Sequence, residues 1–465
     1  VIKNYDSLIV GAGMSGLAAG IRLAMFGKKV LIVEKHSIAG GLNSYYQRKN
    51  FQAGGVRKFD VGLHALTNYI EKGEKGKPFS KLLKQLRFRY DDFKLHPQTY
   101  SKIQFPEATL RFSNDFELLQ SDIDNLFPSQ KDGFNKLVQY IKDFNELDLN
   151  LEYQPSKEKL KDFISEPLLI EMIIAPLLIY GSAWENDMDF AQFVIMFKSL
   201  YFEGFSRPEG GVRTIINLLL DKYKDAGGEL NFREAVEEFI VKDGKCVGVK
   251  TNKNEYTASE VFSSIGLPET YQLTSKEDSG TIGPLSFCET ILCTDKKIPR
   301  EDFDATIVFY NSKEVYSYQK PEKLYDNSSA VFCAPDNYEI ENREGEGTYR
   351  ITYMANFDKW NSFERDEYLE QKENVFEDSL KLTREIIPNF NQEILFKDVF
   401  TPTTIKRYTW HKEGTVYGST DKSRNGKTKY DNLYVIGTDQ GFLGIVGSML
   451  SGISMANLYG LMEAR

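Results

Sequence analysis

"YDSLIVGAGMSGLAAGIRLAMFGKKVLIVEKHSIAGGLNSYY", residues 5–46, decides the architecture. Leu8, Ile9 and Val10 form an apolar run that stops at Gly11, and from Ser15 onward Leu17, Ile21 and Met25 recur at helical spacing. The pattern predicts strand, tight turn and helix. Gly11 permits the turn, Gly13 lets a pyrophosphate approach the backbone, and Gly16 lets the helix pack closely on the sheet. Met14 and Ser15 lie between them, at the helix N-terminus where free amides face an anion. "KKVLIVE" supplies a second buried strand ending in Glu34, with Lys35 next. Glu34 is eighteen positions after Gly16, close to the roughly 20-residue offset at which an acid accepts ribose hydroxyls. Alone, Gly-x-Gly-x-x-Gly is a weak signal; with these neighbours it defines a dinucleotide site.

The bulk composition narrows the class. A chain of 465 residues, 41% apolar and 27% charged, can bury a large core and is expected to divide into two or three domains. A formal charge of -9 and a pI near 5.3 make nucleic acid an unsuitable partner. Cysteines 246, 288, 293 and 333 have no CxxC spacing and the four histidines are scattered, so neither a metal site nor a disulfide framework is signalled. A reducing cytoplasm is the expected compartment. "VIKNYD" runs straight into the first strand without a basic leader, so no secretory signal is expected. "EPLLIEMIIAPLLIYGSAW", 166–184, is broken by Glu171 and Pro176 and is too short for a roughly 20-residue span. It reads as a buried helix lining a pocket, with a segment dipping into one leaflet as the other option.

Features beyond the generic fingerprint distinguish the dinucleotides. "VEKHSIAGGLNSYYQRKNF" followed by "KFDVGLHAL" resembles the FAD-binding half of the phytoene desaturase, carotenoid isomerase and retinol saturase family of FAD-dependent oxidoreductases. The resemblance implies that Gly40 and Gly41, followed by Leu42 and Asn43, meet the pyrophosphate. It also implies that Phe59, Asp60, Val61 and Gly62, then Leu63 and His64, pass beside the isoalloxazine ring. The insertion "QAGGVRK" at 52–58 departs from the family pattern. "RPEGGVRTIINLLLDKYKDAGGELNFREAV" is similar to the glycine-rich crossover, with Val212, Ile215, Ile216 and Leu219 on one helical face; the resemblance implies Val236 at the adenine. "NLYVIGTDQGFLGIVGSMLSGISMANLYG" resembles the terminal FAD segment. There a strand ends in Gly437-x-Asp439, the acid is expected to accept a hydrogen bond from the ribityl chain, and Gly444, Ile445 and Val446 open a helix aimed at the flavin.

The implied fold is α/β: a Rossmann-type, amine-oxidase-like FAD-binding domain assembled from 1–70, 205–285 and 415–465, with a discontinuous α+β substrate or lid domain from 71–204 and 286–414. "VEEFIVKDGKCVGVKT" reads as a hairpin turning at Asp243-Gly244. Residues 71–200 read as mostly helical, 286–355 as sheet, and "RDEYLEQKENVFEDSLKLTREIIPNF" as one long amphipathic helix. The run Lys72, Lys75, Lys77, Lys81, Lys84, Arg87 and Arg89 is either a solvated face or a mouth resting on anionic headgroups, which makes peripheral contact with the inner face of a membrane an open expectation.

A flavin carries the redox chemistry itself, so few acid-base residues are needed. His64 is the catalytic candidate, as a proton donor or, neutral, as a hydrogen-bonding group; a packed histidine shaping the ring pocket is the competing role. Tyr408, His411 and Tyr417 are further lining candidates, while Cys288 and Cys293 read as core. The expected function is FAD-dependent oxidoreduction at carbon–carbon double bonds of a polyene or isoprenoid lipid, by desaturation, saturation or cis–trans isomerisation. Two alternatives stay open: a flavin-dependent amine oxidase, and a non-catalytic prenyl-lipid carrier of the GDP-dissociation-inhibitor type. For the amine oxidase no aromatic cage and no lysine beside the flavin is legible.

Overall fold

The computed structural model describes residues 3–51, 54–146, 148, 151–274, 280–340 and 344–462; Gln52 and Ala53 of the insertion lie outside them. The opening run is a strand, Lys3–Val10, and it takes the centre of a seven-stranded sheet because Leu8, Ile9 and Val10 are apolar on both faces. Parallel neighbours flank it: Val30–Glu34 and then Glu229–Phe232 on one side, Glu255–Ser263 and then Leu433–Val435 on the other. The antiparallel strands Lys245–Thr251 and Val236–Lys242 extend the second side. Their turn, Asp243-Gly244, has φ of 50° and 77°, the two positive values that a type I′ hairpin requires.

The helix Met14–Ala24 packs between this sheet and the helix Gly444–Met455, while Val212–Asp225 buries Val212, Ile215, Ile216 and Leu219 in the same apolar layer. The helical run from Gly444 to Met462 has 19 residues and a mean hydropathy of 1.3, long and apolar enough to cross a bilayer. Here it is a core helix: a Cβ at Gly452 would run into the Ser15 carbonyl oxygen, so only glycine allows the two helices their separation. The 166–184 segment forms the helix Pro167–Gly181, buried within the protein, and its Glu171 is answered by Lys157 at 2.6 Å and by the Tyr316 amide at 3.1 Å.

A second seven-stranded sheet runs in the order Ile394–Phe400, Ser286–Thr294, Gly347–Ala355, Ser329–Cys333, Ile307–Asn311, Ser101–Gln104, Thr109–Phe112. The long helix Arg365–Ile386 covers one face, and the helices Pro167–Gly181 and Phe190–Phe197 belong to the apolar layer on the other. The helical reading of 71–200 needs correction at 101–112. Ser101–Gln104 pairs in parallel with Ile307–Asn311, a partner about two hundred positions away that local periodicity does not reveal. Val56, Arg57 and Lys58 of the insertion begin the strand Val56–Asp60, which pairs antiparallel with Tyr45–Lys49, and the Val61 amide then donates to the Ser44 carbonyl at 2.9 Å.

Gly452→Ala is expected to lower unfolding free energy by about 1–3 kcal/mol, the usual cost of overpacking. The check is denaturant unfolding of both proteins; an unchanged midpoint would contradict the helix contact described.

Candidate active site

The nucleotide cradle is built from backbone. The Gly11 φ of 98° turns the chain out of the first strand, and Gly40, at φ 115°, donates its amide to the Ala12 carbonyl at 2.8 Å. Gly41 follows at φ 57°, and a Cβ on it would stand 3.6 Å from Gly13 Cα, so the two glycine turns lie within van der Waals reach of one another. Glu34 closes one end: Oε2 accepts from the Ala12 amide and Oε1 from the His36 amide, both at 2.7 Å, which leaves lone pairs on each oxygen for hydroxyls. A cleft of about 780 Å³ follows, within the roughly 300–1,000 Å³ range of ligand sites. Gly11, Gly13, Glu34, Lys35, Gly41, Leu42 and Val236 all line it, and so do Tyr408 and His411. Lys35 Nζ lies 4.4 Å from the Trp410 ring, across the mouth. Burial works against charge on His411, and Glu269, 3.7 Å away, outweighs it, so this imidazole titrates above the ordinary histidine range.

The remaining expected residues lie past the Val61 end of the cleft. Gly62 adjoins the cradle, since a Cβ there would be 2.5 Å from the Leu42 carbonyl oxygen and 3.0 Å from Asn43 Oδ1. Gly437 sits against Ser15, and Ile445 and Val446 are buried with Met14, Leu63 and Leu66. The helix at Gly444 has no side-chain cap, so its first amides remain available to an acceptor. The first and third segments therefore meet in space. Asp439 differs from expectation. It is 1% exposed, and Oδ2 accepts from the Leu267 amide at 2.6 Å, while Oδ1 accepts from the Ser419 amide at 2.8 Å and Lys422 Nζ at 3.2 Å. It braces Leu267 and the stretch 419–422 against its own turn rather than facing a ribityl chain. Tyr417 lines no part of the cleft; its hydroxyl donates to the Ile179 carbonyl and its ring packs edge-on to Phe287.

His64 enters a buried charge network. Its Nε2 is 2.8 Å from Glu289 Oε2, which also accepts from Thr352 Oγ1 at 2.9 Å, and Glu289 Oε1 accepts from Arg350 Nε at 2.7 Å. Burial opposes the Glu289 charge, but Arg350 and then His64 overcome it and hold the carboxyl at about 2. Burial is likewise the main influence on His64 and lowers its pKa, with Glu289 opposing. A neutral imidazole facing an ionised carboxylate must carry its proton on Nε2, leaving Nδ1 as an acceptor. Arg350 also donates to the Leu63 carbonyl at 2.7 Å and to Val61, and Arg207 donates to Leu63 at 3.1 Å and pairs with Asp60. Beyond His64, Ala65 begins an apolar and aromatic layer with Phe287, Tyr318, Tyr338 and Met354; the buried Tyr180 hydroxyl beside it has no partner.

Sequence reasoning did not find Glu289, Arg350 or Lys422. Glu289 and Arg350 stand in strands whose alternation marks them only as inward-facing, and Lys422 lies in an irregular stretch. Cys288 and Cys293 are buried, and burial pushes the Cys293 thiol up to about 12. Among the described residues no group of three or more His, Cys, Asp or Glu is placed to hold a metal.

Two glycine turns facing each other, a ribose-side acid and an uncapped helix end on a doubly wound sheet define a flavin-dependent oxidoreductase that binds FAD. The chain belongs to the flavin containing amine oxidoreductase family, whose model matches residues 14–458. It is 24% identical to prolycopene isomerase 2, chloroplastic, of an Oncidium hybrid cultivar, over 98% of this chain and 84% of that protein. It is 22% identical to the all-trans-retinol 13,14-reductase of Danio rerio, over 98% of this chain and 86% of that one. Among solved structures, an oxidoreductase from Methanosarcina mazei shares the fold with a TM-score of 0.67 at 18% identity, covering 97% of this chain and 99% of that one.

Glu34→Ala is expected to weaken FAD binding by roughly 10- to 100-fold, as loss of charge-assisted hydrogen bonds does; titration of the apoprotein by flavin fluorescence is the check. Glu289→Gln leaves Arg350 as an unpaired buried charge and is expected to cost about 3–5 kcal/mol near neutral pH. With a folded pKa of about 2 against an ordinary 4.5, the unfolded chain binds the extra proton between those values. This contribution is therefore complete above about 4.5 and lost as pH falls toward 2, so the gap between wild type and variant should narrow across that window in denaturant titrations.

Proposed function

We propose that this enzyme acts on carbon–carbon double bonds of a conjugated polyene or isoprenoid lipid. The observation that carries the reading is full-length similarity to two proteins named for such substrates, prolycopene and retinol. The aromatic layer that begins at Ala65 supports it, because a hydrocarbon chain offers no hydrogen bonds and is held by shape and exclusion of water. FAD, when bound, supplies two-electron chemistry at its ring. The chain holds the ring's surroundings: Arg350 and Arg207 fix the backbone of 61–63, and Glu289, accepting from His64 Nε2, fixes the tautomer of an imidazole that burial keeps neutral. The Nδ1 atom is then available to accept a proton from, or return one to, a reacting carbon.

The amine oxidase reading loses support at its own residues. Lys422 is buried beside the terminal segment, but its ammonium is committed to Asp439 and to the Tyr417 carbonyl at 2.5 Å. The carrier reading needs neither a ribose acid nor a pyrophosphate cradle. The lysines of the helix Pro78–Leu86 support a companion proposal, that the mouth rests on anionic lipid: Lys81 and Lys84 are exposed while Phe79, Leu82, Leu83 and Leu86 are buried beneath them.

FAD-loaded protein incubated anaerobically with prolycopene or all-trans-retinol, with and without dithionite, is expected to give an isomerised or a dihydro product on chromatography. No product from either polyene, together with peroxide release from putrescine, would replace this reading by amine oxidation. His64→Gln should lose roughly 100-fold in turnover with its flavin absorbance unchanged; full turnover would remove His64 from the chemistry.

A further inference from the structure

His411 lines the nucleotide cleft together with Gly11, Gly13 and Gly41. It follows the helix Pro402–Thr409, after Trp410 at φ 68° has turned the chain, and its amide donates to Thr409 Oγ1 at 3.2 Å. That turn sets the imidazole against the residues that leave the strand Glu255–Ser263. A Cβ on Gly13 would stand 3.4 Å from Ser264 Oγ, one on Gly11 would stand 3.1 Å from Ile265 Cγ2, and one on Gly266 would stand 3.3 Å from His411 Cε1. Three consecutive residues thus lead from the pyrophosphate turn to the imidazole.

The two ring nitrogens have different surroundings. Nδ1 lies 3.7 Å from Glu269 Oε1, which also accepts from the Lys412 amide at 2.7 Å. Among the described residues Nε2 has no hydrogen-bond partner, and it is not one of the unpartnered atoms sealed from solvent. It remains free to donate to a ligand in the cleft.

The charges around the ring keep it cationic. Burial is the largest influence on His411 and lowers its pKa, but Glu269 outweighs it; Asp439 adds to Glu269, and Lys422, paired with Asp439, opposes both. Burial likewise opposes the Glu269 charge, and His411 with the Lys412 amide overcomes it. Loss of the ring's proton therefore leaves Glu269 as an uncompensated anion beside the cleft. The other basic side chains of the cleft are placed differently: Lys35 sits over the Trp410 ring, Arg48 and Lys372 share Asp398, and Arg365 and Arg407 are exposed. His411, with 16% of its side chain exposed against 24% for Lys372, is the most enclosed of these cations.

We propose that His411 binds the FAD diphosphate, Nε2 of its imidazolium donating to a phosphate oxygen, and that the hold on the cofactor weakens as the ring loses its proton. Glu269 acts through the ring as its positioning residue. The inference concerns the cofactor alone and stands whichever lipid the enzyme acts on. Because the charged ring favours the bound state, FAD in turn raises the pKa of the ring. Affinity is constant below the free protein's histidine value, falls above it, and levels once the ring of the loaded protein is neutral as well. That free value lies above the ordinary 6.5, so the fall belongs to the alkaline side of 6.5.

The test is the FAD dissociation constant of the full chain, read by flavin fluorescence from about pH 6 to about pH 9. Wild type is expected to bind roughly tenfold more weakly at the upper end, the effect of losing one charge-assisted hydrogen bond. His411→Gln should bind roughly tenfold more weakly than wild type at the lower end and show no further fall. His36→Gln, at the other histidine lining the cleft, should keep the wild-type fall. A wild-type affinity independent of pH overturns the proposal, as does a fall that persists in His411→Gln or one that vanishes in His36→Gln. Should His411→Gln not fold, wild type and His36→Gln decide between them.

Discussion

The segment 60–64, in which Leu63 is buried and Asp60, Val61 and His64 are partly so, has almost no regular structure of its own, and a buried carbonyl without a donor is costly. Its donors come from far away in the chain. Arg350 reaches Val61 and Leu63, Arg207 reaches Leu63, and the Tyr338 hydroxyl reaches the His64 carbonyl at 2.9 Å. Two arginines cannot be buried there alone, and Glu289 and Asp60 balance them. The clamp sets the flavin-side loop against the second sheet, and its Glu289 also fixes the tautomer of the one histidine in that loop. The geometry next to the ring therefore depends on ion pairs between residues separated by tens to hundreds of positions.

The nucleotide half is held in the opposite way. Gly11, Gly13, Gly40 and Gly41 act through backbone shape and Glu34 through two local amides, all within about thirty residues of sequence. That difference explains what was legible. Turns that need positive φ, a strand that ends in an acid and a hairpin at Asp243-Gly244 announce themselves in residue type and spacing, and so the Rossmann-type sheet and its cleft residues could be read directly. Glu289 and Arg350 could not, because a lone acid in "SFCETILCT" and a lone base in "TYRITYMANF" become meaningful only when the strands pair, Glu289 opposite Thr352 and Ile291 opposite Arg350. The strand Ser101–Gln104 escaped for the same reason.

Asp439 shows how a correctly noticed motif can carry a different load. The residue sits at the end of its strand as the Gly-x-Asp pattern requires, yet its oxygens serve Leu267, Ser419 and Lys422. Leu267 belongs to the second cofactor segment and Ser419 and Lys422 to the approach of the third. One buried carboxylate thus joins segments that the chain brings together only after passing through five of the second sheet's seven strands. Lys422 is fixed by the same act; burial lowers its pKa and Asp439 opposes that shift.

The way these charges are used has a consequence for substrate choice. Glu289 is consumed by Arg350, His64 and Thr352, Asp439 by Lys422 and two amides, and Glu269 by His411 and the Lys412 amide at 2.7 Å. An ammonium substrate would have to enter a chamber whose nearby carboxylates are already neutralised, and a carboxylate substrate one whose cations are paired; either would leave an uncompensated charge out of water. A neutral molecule meets no such penalty. What such a molecule finds instead is a layer of aromatic rings, a neutral imidazole and the idle Tyr180 hydroxyl. The electrostatic closure that secures the fold around the flavin site thus also disfavours an unpaired ligand charge beside His64.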